Sequence, residues 1–313
     1  MQQPVIRAVK TLKAIEDAIA ADQGAAFRQN LQKVLPHMED AYRGYEKNPF
    51  RNHLGASVIG YECARQIWYG FRWFTKPKFP GRVLRLFNRG HLEEARFIAC
   101  LLTIGVQVYQ QDANGHQFRI KAHGGHYGGS GDGVAIGIPD LPPGLPCLTE
   151  WKTHNDKSFQ KVKKEGVRAA KFEHYVQMNT YCRKMGLTVA LYGAVNKNDD
   201  ELHLEIVYLD TDTADRFTDR AGQIIFTPSP PKRINESPGW YACKYCDHHA
   251  VCHKHATPAR NCRTCTYSAP LSTGGWACTS PVVVATAEAQ GRSGPIILDE
   301  DAQLAACAQY EAF

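Results

Sequence analysis

The chain has 313 residues, enough for one sizeable core plus a small satellite module, with 43% hydrophobic residues, 22% charged residues and a formal net charge of +6. No apolar run reaches the length of a membrane span and the opening MQQPVIRAVK lacks the apolar core of a secretory signal, so a soluble cytoplasmic protein is expected. Of its eleven cysteines, six crowd between Cys243 and Cys278, which in a reducing compartment points to metal rather than to disulfides.

Taken in chain order, apolar residues recur at helical spacing through VKTLKAIEDAIAA and FRQNLQKVLPHMEDAY, with Pro36 as a break, so residues 5–47 read as helices within an N-terminal segment over 1–50. Residues 57–74 start with Ser57 as a helix cap and continue as an aromatic-rich helix, and 83–104 form a second long helical pattern. The stretches VQVYQQ and QFRIKA alternate as strands, and the glycine-rich GGHYGGSGDGVAIG leads into a strand around Asp132. After the proline-rich turn IPDLPPGLP comes a strand carrying Glu150, then a polar loop, a helix over 160–185, and the strands TVALYGAV and LHLEIVYL. A further helix is expected over 214–226. This order defines an α/β core over 51–237 with a mixed sheet flanked by helices, followed by a Cys/His-rich module over 238–281 and an acidic, disordered tail over 282–313.

Chemistry concentrates on the strand LTEWKTHND. Side chains two apart on a strand share a face, so Glu150 and Lys152 project together while Trp151 points to the opposite, buried face. Phosphodiester hydrolysis with a divalent cation needs hard oxygen ligands close together and a group to orient the attacking water, and Asp132 with Glu150 and Lys152 supplies both. Taken singly, each has a plain structural reading: a turn-capping Asp132, a surface Glu150–Lys152 pair, an amphipathic helix surface at Gln177 and Tyr181, a helix-start His91. Residues 51–100 and 151–185 each hold nine Lys/Arg against three Asp/Glu, a balance that suits a polyanion and equally an unspecialised solvated surface.

Asp132…Glu150-x-Lys152 resembles the motif of the PD-(D/E)xK nuclease superfamily, with Gly131 in place of the namesake proline. The QMNTY stretch Gln177–Tyr181, whose ends share a helix face, resembles the Q-x-x-x-Y motif of RecB-like and lambda-type exonucleases. The RGHLEE stretch Arg89–Glu94 resembles the first motif of the same group, whose helix supplies a Glu or His to the metal, so His91 and Glu94 are further candidates. Cys63 upstream and Cys243-x2-Cys246-x5-Cys252 downstream resemble the iron–sulfur staple of RecB-like nucleases of CRISPR systems. The resemblance covers roughly residues 55–255 and implies a restriction-endonuclease-like fold, with Asp132, Glu150, Lys152, Gln177 and Tyr181 at the active centre. It further implies Mg²⁺ or Mn²⁺ as cofactor and a 4Fe–4S cluster on Cys63, Cys243, Cys246 and Cys252.

A rival reading of the cysteines pairs Cys243 and Cys246 with Cys262 and Cys265 as a zinc ribbon. Under the iron–sulfur reading, Cys262, Cys265 and Cys278 remain as three ligands of a second site, for zinc, with His253 or His255 as the fourth. The expected function is a metal-dependent DNA nuclease, an exonuclease of phage or prophage recombination and replication in the bacterial cytoplasm, with DNA and a phage annealing or replication protein as partners. The alternative is a nucleic-acid-binding protein on a nuclease scaffold with a zinc module. Tyr61, Trp68, Tyr69 and Trp73, with Arg65 and Arg72, are candidates for stacking on single-stranded DNA, although aromatics at helical spacing also read as core.

Overall fold

The β-branched and apolar runs around Leu191 and Leu204 form paired central strands, and most of the chain before them packs as helices and hairpins around the same sheet. The computed structural model describes residues 4–42, 44 and 48–313; the end of the expected N-terminal helical segment, at 43 and 45–47, lies outside the described residues, as do 1–3. In chain order the first elements are β1 (Ile6–Arg7), α1 (Val9–Ala21), α2 (Ala25–Val34), β2 (Leu54–Gly55), α3 (Ala64–Phe71) and α4 (Gly81–Thr103). There follow β3 (Gln107–Tyr109), β4 (Arg119–Ala122), β5 (Tyr127–Ser130), β6 (Gly133–Ile136) and β7 (Pro146–His154). Next come α5 (Asp156–Glu165), α6 (Val167–Ala170), α7 (Phe172–Met185), β8 (Val189–Asn196), β9 (Leu202–Tyr208) and α8 (Thr211–Phe226). The last are α9 (Tyr241–Lys244), α10 (His249–Lys254), β10 (Ser268–Pro270), β11 (Trp276–Cys278), α11 (Pro281–Ala289), β12 (Ile296–Leu298) and α12 (Glu300–Leu304).

The chain divides into two compact units, the first from residues 1–45, 79–120 and 130–215, the second from 46–78, 121–129 and 216–313. The first is the expected α/β structure, with a six-stranded mixed sheet in the order β1-β9-β8-β7-β6-β3. β7 and β8 pair in parallel and the other neighbours antiparallel, so α5 to α7 make the crossover that a parallel pair requires. β8 is buried along its whole length, which explains its uninterrupted apolar run. Trp151 leaves β7 on the core side and stacks on Phe97 of α4, ring centroids 4.7 Å apart and 6° from parallel. Its register partner on β8 is Gly193, where a Cβ would fall 2.5 Å from the indole, so only glycine admits the ring. Burying two stacked aromatics, worth roughly 2–3 kcal/mol each, fixes α4 against β7 and sets the position of Glu94.

The structure departs from the expected elements at several points. A short edge strand, β1, precedes α1 because Ile6 and Arg7 pair with β9. The helix expected over 160–185 is three pieces, α5 ending at Gly166, which takes φ +77°. Asp132 lies in the bend before β6 rather than on the strand, and β7 runs on to His154 through the expected polar loop. The aromatic helix begins at Ala64, with Cys63 rather than Ser57 as its cap, the thiol accepting from the Gln66 amide at 3.4 Å.

In the second unit Trp68, Tyr69 and Trp73 are buried, so they form core rather than a stacking surface, and Tyr61 alone of the four is exposed. Arg72 is buried with them, its guanidinium 4.9 Å from the Trp68 ring centroid and 4.8 Å from that of Phe313. Arg263 lies 3.8 Å over Trp73. Residues 282–313, expected as a disordered tail, carry α11, β12 and α12; β12 pairs antiparallel with β11, and Phe313 meets Trp68 edge-on at 5.2 Å. The pairing of Ile296–Leu298 with β11 and the ring contacts of the terminal Phe313 order a segment whose acidic composition suggested otherwise. Among the described residues, no helix is long and apolar enough to cross a membrane.

Candidate active site

Strand alternation puts Glu150, Lys152 and His154 on one face of β7, opposite the Trp151 side. Glu150 is fully buried; its Oε1 pairs with Lys152 Nζ, while Oε2 has no hydrogen-bond partner among the described residues. Asp132 Oδ2 accepts from the Trp151 amide at 2.9 Å, which holds this carboxylate between Glu150 and Lys152 in chain position. Gly133 beside it takes φ +152°, with space for a Cβ closed by Tyr109 O at 2.9 Å, so the chain reaches Asp132 only through glycine.

α4 brings Glu94 to the same group, where its charge acts on Asp132, Glu150 and Lys152, and His91 Nδ1 lies 3.8 Å from Glu94 Oε1. Glu93, expected to point away, is paired with Arg96 at 3.1 Å and lines the same depression as His91 and Glu94. Burial, then the Glu150 and Glu94 carboxylates, holds Asp132 well above the usual carboxylate range. Burial also raises Glu150, with Lys152 pulling the other way. Burial works against the Lys152 charge, but Glu150 and Asp132 outweigh it and keep the ammonium protonated. Three carboxylates thus surround one ammonium, an excess of negative charge suited to a cation. His91, Glu93, Glu94, Trp151, Lys152 and Lys197 line a depression through which Glu94 and Lys152 reach solvent.

Gln177 and Tyr181 are both buried on α7, which packs on β7 and β8. Among the described residues no hydrogen bond ties Gln177 to Asp132, Glu150 or Lys152.

Three residues join the site that the motif did not name. Tyr192 is the register partner of Glu150 on β8, and its hydroxyl shares hydrogen bonds with His154 Nε2 at 2.9 Å and His174 Nδ1 at 3.1 Å. Burial, then Lys171 and Lys152, lowers His154 to about 4; burial, then Lys152, lowers His174 to about 2, so both imidazoles are neutral near pH 7. His154 was findable, because it lies four residues beyond Glu150 on the same strand face.

In the second unit the thiols sort into two groups. Cys63, Cys243, Cys246 and Cys252 line one cavity together with His253, whose Nε2 is buried without a partner among the described residues. His253 therefore belongs beside Cys63, not with Cys262 as expected. Burial raises Cys246 to about 11, and Cys63 and Cys252 add to it. Cys262 has Cys265, Cys278 and Cys307 as its thiol neighbours and is not among the residues that line the Cys63 cavity. Among the described residues, no three His, Cys, Asp or Glu side chains already converge as an enclosed ion site.

No family model matches the chain, and no curated protein matches it. Solved structures that resemble it include SSO0001, at 14% identity over 72% of this chain and 94% of that one, with a TM-score of 0.40. An alkaline exonuclease from Laribacter hongkongensis, LHK-Exo, matches at 14% identity over 55% of this chain and 86% of that one, with a TM-score of 0.38. The same enzyme in complex with dAMP matches with the same values, 14% identity and a TM-score of 0.38. Likeness this distant assigns no activity to the chain.

Proposed function

We propose that this chain is a metal-dependent deoxyribonuclease, acting as an exonuclease, that hydrolyses phosphodiester bonds at Asp132, Glu150 and Lys152. The observation that carries this reading is the fully buried Glu150, with one oxygen on Lys152 and the other without a hydrogen-bond partner among the described residues, beside two further carboxylates. A buried carboxylate oxygen left without a donor costs about 1–3 kcal/mol, which a bound cation would recover. Asp132 and Glu150 would hold Mg²⁺ or Mn²⁺, with Glu94 or His91 completing the set; hard oxygen donors fit these ions. Such an ion, when bound, supplies Lewis-acid polarisation of the phosphate and a lowered pKa for water. Lys152 orients the attacking water and offsets charge that builds on the phosphate oxygens. Gln177 positions substrate or Lys152, and Tyr181 supports it one helical turn on. Neutral His154 and His174 hold Tyr192 behind Glu150. A role in phage or prophage recombination and replication, with an annealing or replication protein as partner, is part of the same proposal and rests on the motif resemblance.

End-labelled linear DNA and closed circular DNA, incubated with the protein and Mn²⁺, test it. Shortening of the linear DNA from its ends, stopped by chelation, is expected. Cleavage of the circle would contradict the exonuclease assignment, and no cleavage of either would contradict the nuclease.

Arg82, Arg85 and Arg89 on α4 and Lys157, Lys161 and Lys164 on α5 are exposed, so affinity for DNA should fall steeply with salt as each neutralised phosphate releases counterion. An affinity that is flat between low and physiological salt would argue against a polyanionic substrate.

The same proposal assigns Cys63, Cys243, Cys246 and Cys252 to a 4Fe–4S cluster, in keeping with the cavity that all four line. Anaerobically purified protein should be brown and carry about four irons per chain at this site. Cys63→Ser should bleach it and destabilise the second unit, because the cluster closes a long loop. Iron-free protein from a strictly anaerobic preparation would exclude the cluster.

A further inference from the structure

We propose that Cys262, Cys265, Cys278 and Cys307 form a four-thiolate zinc site that fastens the C-terminal segment into the second unit. The inference stands independently of the nuclease reading.

Asn261 caps the short turn Cys262–Thr264, its side chain accepting from the Thr264 amide at 3.2 Å while the Thr264 hydroxyl engages the Asn261 amide at 3.3 Å. The Cys265 amide then donates to Cys262 O at 3.0 Å, and the Ser268 amide to Cys265 O at 3.1 Å. Two cysteines three apart on such a folded-back turn present their thiols to one side, the arrangement in which paired thiolates hold zinc. Register across the β10–β11 hairpin sets Cys278 opposite Ser268, three residues from Cys265.

The fourth ligand comes from the far end of the chain. Cys265 pairs with Ala312 in an antiparallel bridge, and the Thr266 amide donates to Glu311 O at 2.8 Å. Arg260 Nη2, just before the turn, donates to Cys307 O at 3.1 Å. Arg263 Nε donates to Gln303 Oε1 at 2.8 Å and the Thr264 and Tyr310 hydroxyls meet at 3.1 Å, so residues on both sides of Cys307 lie along the turn. The Cys262 thiol accepts from the Cys307 backbone amide and has Cys265 and Cys278 as its neighbouring thiols. Zinc(II) takes four thiolates without redox change, each thiol giving its proton to solvent as the metal binds.

Metal analysis and zinc X-ray absorption on the full chain test this. The parent should carry zinc with four sulfurs at about 2.3 Å. Cys307→Ser should lose one zinc per chain, or hold it with three sulfurs and one light atom. Cys307→His, which keeps a ligand, should retain zinc with three sulfurs and one nitrogen, and it decides the matter if the serine variant fails to fold. A parent without zinc, or a Cys307→Ser or Cys307→His variant with parental zinc and four sulfurs, would overturn the assignment.

Discussion

Lys152→Ala should leave a folded protein that still binds DNA but cleaves it more slowly by on the order of a hundredfold or more, the loss seen when one preorganised charge at a transition state is removed. Lys152 is an ammonium among the Asp132, Glu150 and Glu94 carboxylates, and its side chain keeps some exposure to solvent. Removing it leaves buried Glu150 without its counter-charge, and the carboxyl responds by taking up a proton instead of unfolding the chain. Glu150 is already raised in the folded state, and the variant raises it further. Stability gained from a raised carboxyl is present below its unfolded pKa and is lost as pH rises through the folded one. The variant should therefore lose thermal stability more steeply than the parent as pH climbs above the ordinary Glu range. Single-turnover cleavage, DNA binding by anisotropy and melting at several pH values read the three effects; cleavage at the parental rate would show the site to be wrongly assigned.

Asp132→Asn should move activity and metal-free stability in opposite directions. Asparagine is nearly isosteric and keeps an oxygen to accept from the Trp151 amide, so the 2.9 Å bond that positions the hairpin survives. What it removes is a carboxylate raised by burial and by Glu150 and Glu94. Because the folded pKa of Asp132 lies above the unfolded value, its contribution favours folding at low pH and is lost as pH rises through the folded pKa. With chelator present at neutral pH, the variant should melt a few degrees higher than the parent, with a flatter pH dependence. Cleavage should drop by a hundredfold or more, since a ligand is gone. A variant that is both less stable and fully active would reverse both signs.

Legibility in the sequence followed the physics of each signal. The period-two alternation around Glu150 and the apolar runs at 189–195 and 202–207 gave the mixed sheet, because strand faces and buried strands leave direct patterns. The carboxylate group was legible because its members come on one strand face, one hairpin and one helix face, all short-range geometries. His174 and Tyr192 were not, since the partnership depends on strand register and a helix packing that no local pattern encodes. Trp68 and Trp73 show the limit of composition: aromatics beside arginines suit either nucleic acid or a core, and burial of Arg72 beneath them decides for the core. The ends of the chain were hardest. Cys63 was grouped with Cys243 only through the motif resemblance, since no local pattern links residues so far apart, and Cys307 was missed because it lies in a segment whose acidic composition masks its order.

Calorimetric titration of Mn²⁺ into metal-free parent and Asp132→Asn tests most directly whether these carboxylates hold the catalytic ion. Binding to the parent, tightening as pH rises because cation and proton compete for raised carboxyls, and its loss in the variant are the expected result. Equal Mn²⁺ binding by the two proteins, with no dependence on pH, would contradict it.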